Sequence, residues 1–275
     1  TRPIRMIVPL AAGGATDVVA RLIADKLSEQ VKQPVIVENR PGAQGMIGVE
    51  AAAKAAPDGY TLVVATFAHA VNPSLIPKLP YDTEKAFSPI GMIAKGPNVL
   101  VVRADSPVKT VADLLVMAKA EPSKFSYASQ GNGTSAHLAG EMFENIAQVK
   151  LMHIPYRGAG PAMTDLLGGQ VSMMFATAAA VAPHIASGKL RAIAVTTPEK
   201  SPALKGVPTI AETVKGYSVE SWYGLFAPAG TPPDVISKLN AAVKQATQST
   251  EFKSKLEPEG LVVSTGTPQE FDSYV

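Results

Sequence analysis

One construction constrains this chain more than any other, and it appears four times: an apolar run, a corner of glycines or hydroxyls, then a helical pattern. The first copy is IVPLAAGGATD, with Gly13 and Gly14 at the corner. The second is SYASQGNGTSAH, where Gly131 and Gly133 sit among the hydroxyls of Ser129, Thr134 and Ser135. PYRGAGPAMTD repeats it with Gly158, Gly160 and a proline set for a first helical turn, and MMFATAAAVAPH places Thr177 at the corner. Strand, tight turn and helix in alternation imply an α/β fold with a largely parallel sheet, because parallel neighbours need a crossover connection.

The remaining pattern extends this reading. Ile4–Leu10, Val35–Glu38, Thr61–Thr66, Asn98–Arg103, Ser126–Ser129, Lys150–Pro155, Val171–Phe175, Arg191–Thr196 and Leu261–Ser264 read as strands, and Tyr217–Ala227 as an extended aromatic-rich segment. Helices are expected over Val18–Leu27, Met46–Ala55, Ser135–Ile146 and Pro161–Leu167. Thr110 with Asp113 resembles a capping box, Thr231 caps a helix with Pro232 at its first position, and Thr267, Pro268 and Glu270 open the last one. The chain stops inside that helix. Because its first residues already read as strand, a signal peptide is expected to be absent or removed.

Composition removes several classes of function. With 46% hydrophobic and 17% charged residues, the chain can build a core and is not disordered. Lys plus Arg total 25 against 23 for Asp plus Glu, with no basic run, so nucleic acid is not an expected partner. There is no cysteine, which excludes disulfides, thiolate nucleophiles and cysteine metal sites. Neither G-x-G-x-x-G nor G-x-x-x-x-G-K-[ST] occurs, nor does G-x-S-x-G, so dinucleotide, nucleoside triphosphate and serine-hydrolase chemistry lack motif support. The histidines His69, His137, His153 and His184 are isolated in sequence, with no metal-ligand spacing.

The corners carry what chemistry remains. Successive backbone N–H groups ahead of a helix make an anion site, and in α/β sheets such corners gather beyond the carboxyl ends of the strands. The plain alternative is that the glycines only permit tight turns. Asp17 either complements its helix dipole and pairs with Arg21, or organises the loop and meets a ligand group. His137 is a ligand donor or a buried histidine satisfied by backbone. Arg157 is the cation within a candidate turn, placed for a carboxylate or simply exposed.

In order along the chain, RPIRMIVPLAAGGATDVVARLIADKL, VIVENRPGAQGMIG, PDGYTLVVAT, YASQGNGTSAHLAGEMF, HIPYRGAGPAMTDLLGGQV and PHIASGKLRAIAVTT closely resemble the Bug family. These are periplasmic solute-binding receptors of tripartite tricarboxylate transporters. The resemblance implies a type II periplasmic-binding-protein clamshell: domain 1 at 1–100 plus 225–275, domain 2 at 101–224, with crossing strands at NVLVVRADS and ESWYGLFAP. It implies a small carboxylate ligand (a di- or tricarboxylate, an acidic amino acid or an aromatic acid), a membrane permease as partner, a monomer, a periplasmic location, no cofactor and no catalysis. The ligand residues carried over are Leu10, Ala12, Gly13, Gly14 and Asp17; Thr66, Phe67 and His69; Ser129, Gly131, Gly133, Thr134, Ser135 and His137; Arg157, Gly158 and Ala159; and Ala176 and Thr177. Relatives often carry Asp where this chain has Ala176, which implies a ligand without an ammonium group or one whose ammonium is met elsewhere. The family also extends some residues past Val275, so the final helix is expected to be incomplete. A carboxylate sensor for a signalling partner, or an enzyme acting on a small acid, are the competing readings.

Overall fold

The computed structural model describes residues 2–275. In chain order the elements are β1 (Ile4–Val8), α1 (Ala15–Val31), β2 (Val35–Asn39), α2 (Met46–Ala53), β3 (Thr61–Thr66), α3 (Phe67–Leu75) and the long strand β4 (Phe87–Arg103). Then come α4 (Val111–Ala120), β5 (Ser126–Ser129), α5 (Ser135–Ala147), β6 (Met152–Pro155), α6 (Ala159–Leu167), β7 (Met173–Thr177), α7 (Ala178–Ala186) and β8 (Leu190–Val195). The chain ends with β9 (Glu220–Pro228), α8 (Pro233–Gln248), α9 (Thr250–Leu256), β10 (Val262–Val263) and α10 (Pro268–Tyr274). Two compact units result. Unit 1 comprises the residues up to Lys95, Trp222–Glu257 and Val262–Val275; unit 2 comprises Gly96–Ser221 and Pro258–Leu261.

In unit 1 the strand order is β2-β1-β3-β9. β1 runs parallel to β2, from Ile4↔Val35 to Val8↔Asn39, and parallel to β3 at Arg5↔Thr61. β9 is antiparallel to β3, from Val63↔Phe226 to Thr66↔Tyr223. α1 buries Val19, Ala20, Ile23, Ala24 and Leu27 along one helical stripe. A second cluster gathers Ile7, Val49, Val63, Phe87, Trp222, Phe226 and Phe271. Each fully buried side chain of this size contributes about 1.5–3 kcal/mol.

Unit 2 has the order β4-β7-β5-β6, with β8 on the other side of β4. β5 is parallel to β6 (Tyr127↔His153) and to β7 (Tyr127↔Met173), and β4 is antiparallel to β7 (Asn98↔Thr177). α5 lies close to β5 because position 140 is glycine: a Cβ there would come 2.2 Å from the Tyr127 ring. The sheets are therefore mixed rather than nearly all parallel. The antiparallel members include the strands that run from one unit to the other.

Some boundaries differ from the sequence pattern for local reasons. β1 stops at Val8 because Pro9 has no N–H to donate. β4 begins well before Asn98, since Gly96 and Pro97 do not end the strand but mark where it changes partner, from Val262↔Lys95 to Asn98↔Thr177. At α8 the cap is Pro232 and Pro233 is the first helical residue; the Thr231 hydroxyl instead donates to the Pro228 carbonyl at 2.7 Å. The capping boxes at Thr110–Asp113 and Thr267–Glu270 form as the sequence predicts. Among the described residues no helix is long and apolar enough to cross a membrane.

Candidate functional site

All the candidate corners lie at the carboxyl ends of parallel strands. In unit 1, β1 ends in an exposed loop, Leu10 to Gly14, in which Gly13 adopts a φ of +86°. Gly14 is the N-cap of α1 and brings no side chain, so first-turn N–H groups of that helix are left for an outside acceptor. The loop is tied down from behind. Gly13 N–H donates to Asp17 Oδ2 at 2.9 Å, Arg21 Nε donates to the same oxygen at 3.0 Å, and Asn39 Nδ2 donates to Asp17 Oδ1 at 2.9 Å and to the Leu10 carbonyl at 3.1 Å. Burial alone would raise the Asp17 carboxyl; hydrogen bonds from Arg21, Gly13 and Asn39 outweigh it and hold the group below the ordinary carboxylate value. Asp17 is buried, and both of its oxygens are engaged within the protein. It organises the loop.

Unit 2 builds the equivalent corner with different chemistry. Gly133, at φ +77°, donates its N–H to His137 Nδ1 at 3.2 Å. An accepting Nδ1 carries no hydrogen, so His137 is neutral with its hydrogen on Nε2, which faces Glu141 Oε1 at 3.5 Å. Burial lowers the His137 pKa, and Glu141 pulls it upward without prevailing. His137 stacks on His153, with ring centroids 4.2 Å apart, and His153 stacks in turn on Tyr127 at 4.8 Å. Burial, reinforced by His137, brings the His153 pKa down to about 4 against the pull of Glu141. Thr134 caps α5 by accepting from His137 N–H, while Ser129 Oγ lies 2.7 Å from His153 Nε2 and accepts from Gly131 N–H at 3.2 Å. Two histidines isolated in sequence thus form one stacked pair.

The second and third corners meet: Tyr156 N–H donates to the Ser129 carbonyl and Gly158 N–H to the Gln130 carbonyl. Gly158 is the N-cap of α6 without a side-chain cap; Ala159, half-buried, opens that helix. Arg157 is exposed and makes no ion pair among the described residues. Thr177 caps α7 by position, yet its hydroxyl bonds to no backbone N–H of the helix, and Thr66 stands in the same way before α3. Phe67 is half-buried against the unit 1 core. His69 is almost completely buried, with Phe87 at 5.3 Å and Phe226 at 4.9 Å, and burial brings its pKa down to about 4. Ala176 does not reach the surface at all. Its side chain belongs to the core of unit 2 with Val99, Val101, Ala128 and Met174, so the reading that an Asp-to-Ala change there removes a ligand partner has no exposed position to act on.

The sequence did not single out Asn39, which is polar and ordinary in its strand, or Asn98 and Ser221, which meet Ser135. Asn98 Nδ2 lies 3.0 Å from Ser135 Oγ and 3.5 Å from Ser221 Oγ, and the two hydroxyls are 2.6 Å apart. No local signal pairs residues so distant in the chain.

Residues 19–275 match the family model described as the tripartite tricarboxylate transporter family receptor. BugT of Bordetella pertussis is 38% identical over 277 residues, covering 100% of this chain and 85% of BugT. Among solved structures, the periplasmic binding protein BugD is 36% identical with a TM-score of 0.88, covering 99% of this chain and 92% of BugD. Rpa4515 of R. palustris with adipate is 36% identical, TM-score 0.91, with coverage of 100% and 92%. MatC of Rhodopseudomonas palustris with bound malate is 32% identical, TM-score 0.88, with coverage of 100% and 95%. The fold is accordingly the two-domain α/β fold of periplasmic binding proteins.

Proposed function

This chain belongs to the tripartite tricarboxylate transporter receptor family, which includes the Bug proteins, and from that premise we propose that it captures a small carboxylate outside the cytoplasm and delivers it to a membrane permease. One observation carries the reading. Thr66 and Thr177 occupy the same place in their units, at the end of a strand and the start of a helix, and neither hydroxyl is used as a cap. Each corner therefore keeps a hydroxyl and first-turn N–H groups for an outside acceptor. Such donors suit a carboxylate, which accepts hydrogen bonds and bears the charge that a helix N-terminus favours. The ligands of the solved relatives, adipate and malate, are dicarboxylates.

On this reading each unit offers its own donors to a carboxylate: unit 1 the exposed loop from Leu10 to Gly14 and the Thr66 corner, unit 2 the corners at Gly131–Ser135, Arg157–Ala159 and Thr177. β4 and β9, which each carry residues of both units, serve as hinge strands. Ligand then shifts the protein toward a form the permease recognises, and does so only through contacts that are better in that form. The chemistry is binding rather than bond-making: the Ser129–His153 contact has the spacing of a nucleophile and base, but Ser129 is fully buried behind its loop.

The test is thermal unfolding of refolded, ligand-free protein with C4–C6 dicarboxylates, tricarboxylates, acidic amino acids and aromatic acids. A ligand at 100 times its Kd adds about 2.7 kcal/mol, a shift of a few degrees at this size. A shift confined to one group of acids supports the receptor reading and names its ligand class. Folded protein that shifts with none of them overturns the carboxylate assignment.

A further inference from the structure

Asn98, Ser135 and Ser221 form a buried polar node in unit 2. Asn98 is 1% exposed and is fixed by its backbone: its N–H donates to Thr196 Oγ1 at 2.8 Å, and its carbonyl accepts from Thr196 N–H at 3.0 Å. It also sits opposite Thr177 in the β4–β7 register. Its side-chain amide reaches Ser135 Oγ at 3.0 Å and Ser221 Oγ at 3.5 Å, and those oxygens are 2.6 Å apart. Ser221 is buried, whereas Ser135, the first residue of α5, is half-buried.

Counting hydrogens decides what this node does. The amide brings two hydrogens and each hydroxyl one, but the node's acceptors toward them are only the two serine oxygens. The amide donates to both hydroxyls, and one hydroxyl donates to the other. One hydroxyl hydrogen is left over, and no other acceptor for either serine hydroxyl occurs among the described residues. The buried Ser221 hydroxyl has nowhere to turn except toward Ser135. Ser135 Oγ then accepts twice, from Asn98 and from Ser221, and the hydrogen left without a partner is that of the half-buried Ser135. An oxygen that accepts two hydrogen bonds is polarised into a stronger donor.

We propose that Asn98 and Ser221 are positioning residues that hold the Ser135 hydroxyl as a donor for an acceptor oxygen of the ligand. The proposal rests on the carboxylate-binding reading and deepens it. The node presents a hydrogen and no anion, so it takes a carboxylate or carbonyl oxygen and gives an ammonium no partner of opposite charge.

Calorimetric titration of succinate, malate, adipate and citrate into wild type, Ser135→Ala, Ser221→Ala and the double variant tests it, with the melting temperature of each unliganded variant as the folding control. For the acid that binds wild type best, Ser135→Ala weakens Kd about tenfold or more, as expected for a hydrogen bond to a charged group. Ser221→Ala weakens it about threefold while Ser135 is present, the loss of one polarising bond. In the Ser135→Ala background Ser221→Ala costs nothing further, which a merely structural role for Ser221 does not predict. Equal Ser221→Ala losses in both backgrounds, or no loss from Ser135→Ala, overturn the inference while leaving the carboxylate reading intact. Where wild type binds none of the four, the titration is run with the acid that shifts its melting temperature most among the acidic amino acids and aromatic acids, and folded wild type that binds none of these either overturns both.

Discussion

The two units solve one problem twice with different chemistry. Each places a central strand between two parallel neighbours, β1 between β2 and β3, β5 between β7 and β6. Each follows that strand with a glycine at positive φ whose N–H is caught four residues on, by the third residue of the next helix. In unit 1 the acceptor is an ionised carboxylate, Asp17, braced by Arg21 and Asn39. In unit 2 it is a neutral imidazole, His137, braced by a stacked ring. No sequence repeat accompanies this shared architecture. Backbone geometry at the corner is dictated by the turn, while the side chain that holds the turn needs only a lone pair in the right place.

The comparison is open to experiment, and the largest effect is expected at Asp17. Asp17→Ala leaves Gly13 N–H and Asn39 without their acceptor and is expected to cost about 3 kcal/mol in urea unfolding. Asp17→Asn, which keeps an oxygen, should recover part of that. A loss no greater than that of an exposed substitution breaks the view that the first corner is built on this carboxylate.

Acid should separate the two corners. His69, His137 and His153 all have folded pKa values below the ordinary 6.5, so their contribution to stability is fully present above 6.5 and is lost as pH falls below it, toward about 4 for His69 and His153. Asp17, depressed below 3.8, contributes above that value and changes nothing in this window. His69 alone gives a slope approaching about 1.4 kcal/mol per pH unit below 6.5, or about 2 kcal/mol by pH 5. Amide exchange read by NMR along a titration downward from pH 6.5 localises the difference: as His137 takes up its proton Gly133 N–H loses protection, because a protonated Nδ1 cannot accept, while Gly13 N–H keeps its own. Equal loss at both amides removes the contrast.

A smaller effect tests helix seating. The sixth residue is Ala20 in α1 and Gly140 in α5, where Tyr127 occupies the space a methyl would need. Gly140→Ala is expected to cost about 1–2 kcal/mol by overpacking. Smallest of all, Thr66→Val and Thr177→Val should change stability by less than about 0.5 kcal/mol, because neither hydroxyl caps its helix. Both should weaken carboxylate binding. A large stability loss from either would mean that the hydroxyl serves the fold and not a ligand.

What could be read from the sequence was local. The capping boxes at Thr110 and Thr267 need residues three apart, and the glycine corners announce themselves by composition beside an apolar run. β4 was only half legible, because Gly96 and Pro97 look like an ending when they are a change of partner. The His137–His153 stack depends on β5 and β6 pairing, since that register sets Tyr127 opposite His153. The Asn98–Ser135–Ser221 node draws on a strand, a helix start and a second strand far apart in the chain. Contacts of that kind follow from the finished sheet and leave no trace in spacing.

The division of the chain between the units also sets an order for its synthesis. The strands β5 to β8, with the second half of β4, lie within the continuous stretch Gly96–Ser221, so the sheet of unit 2 is complete once that stretch has left the ribosome. Unit 1 begins first yet must wait for β9, the antiparallel partner of β3, and for Phe271 to fill its core. The amino-terminal strands therefore emerge early with an unpaired edge, and the sheet of the later-born unit is the first whose strands are all available.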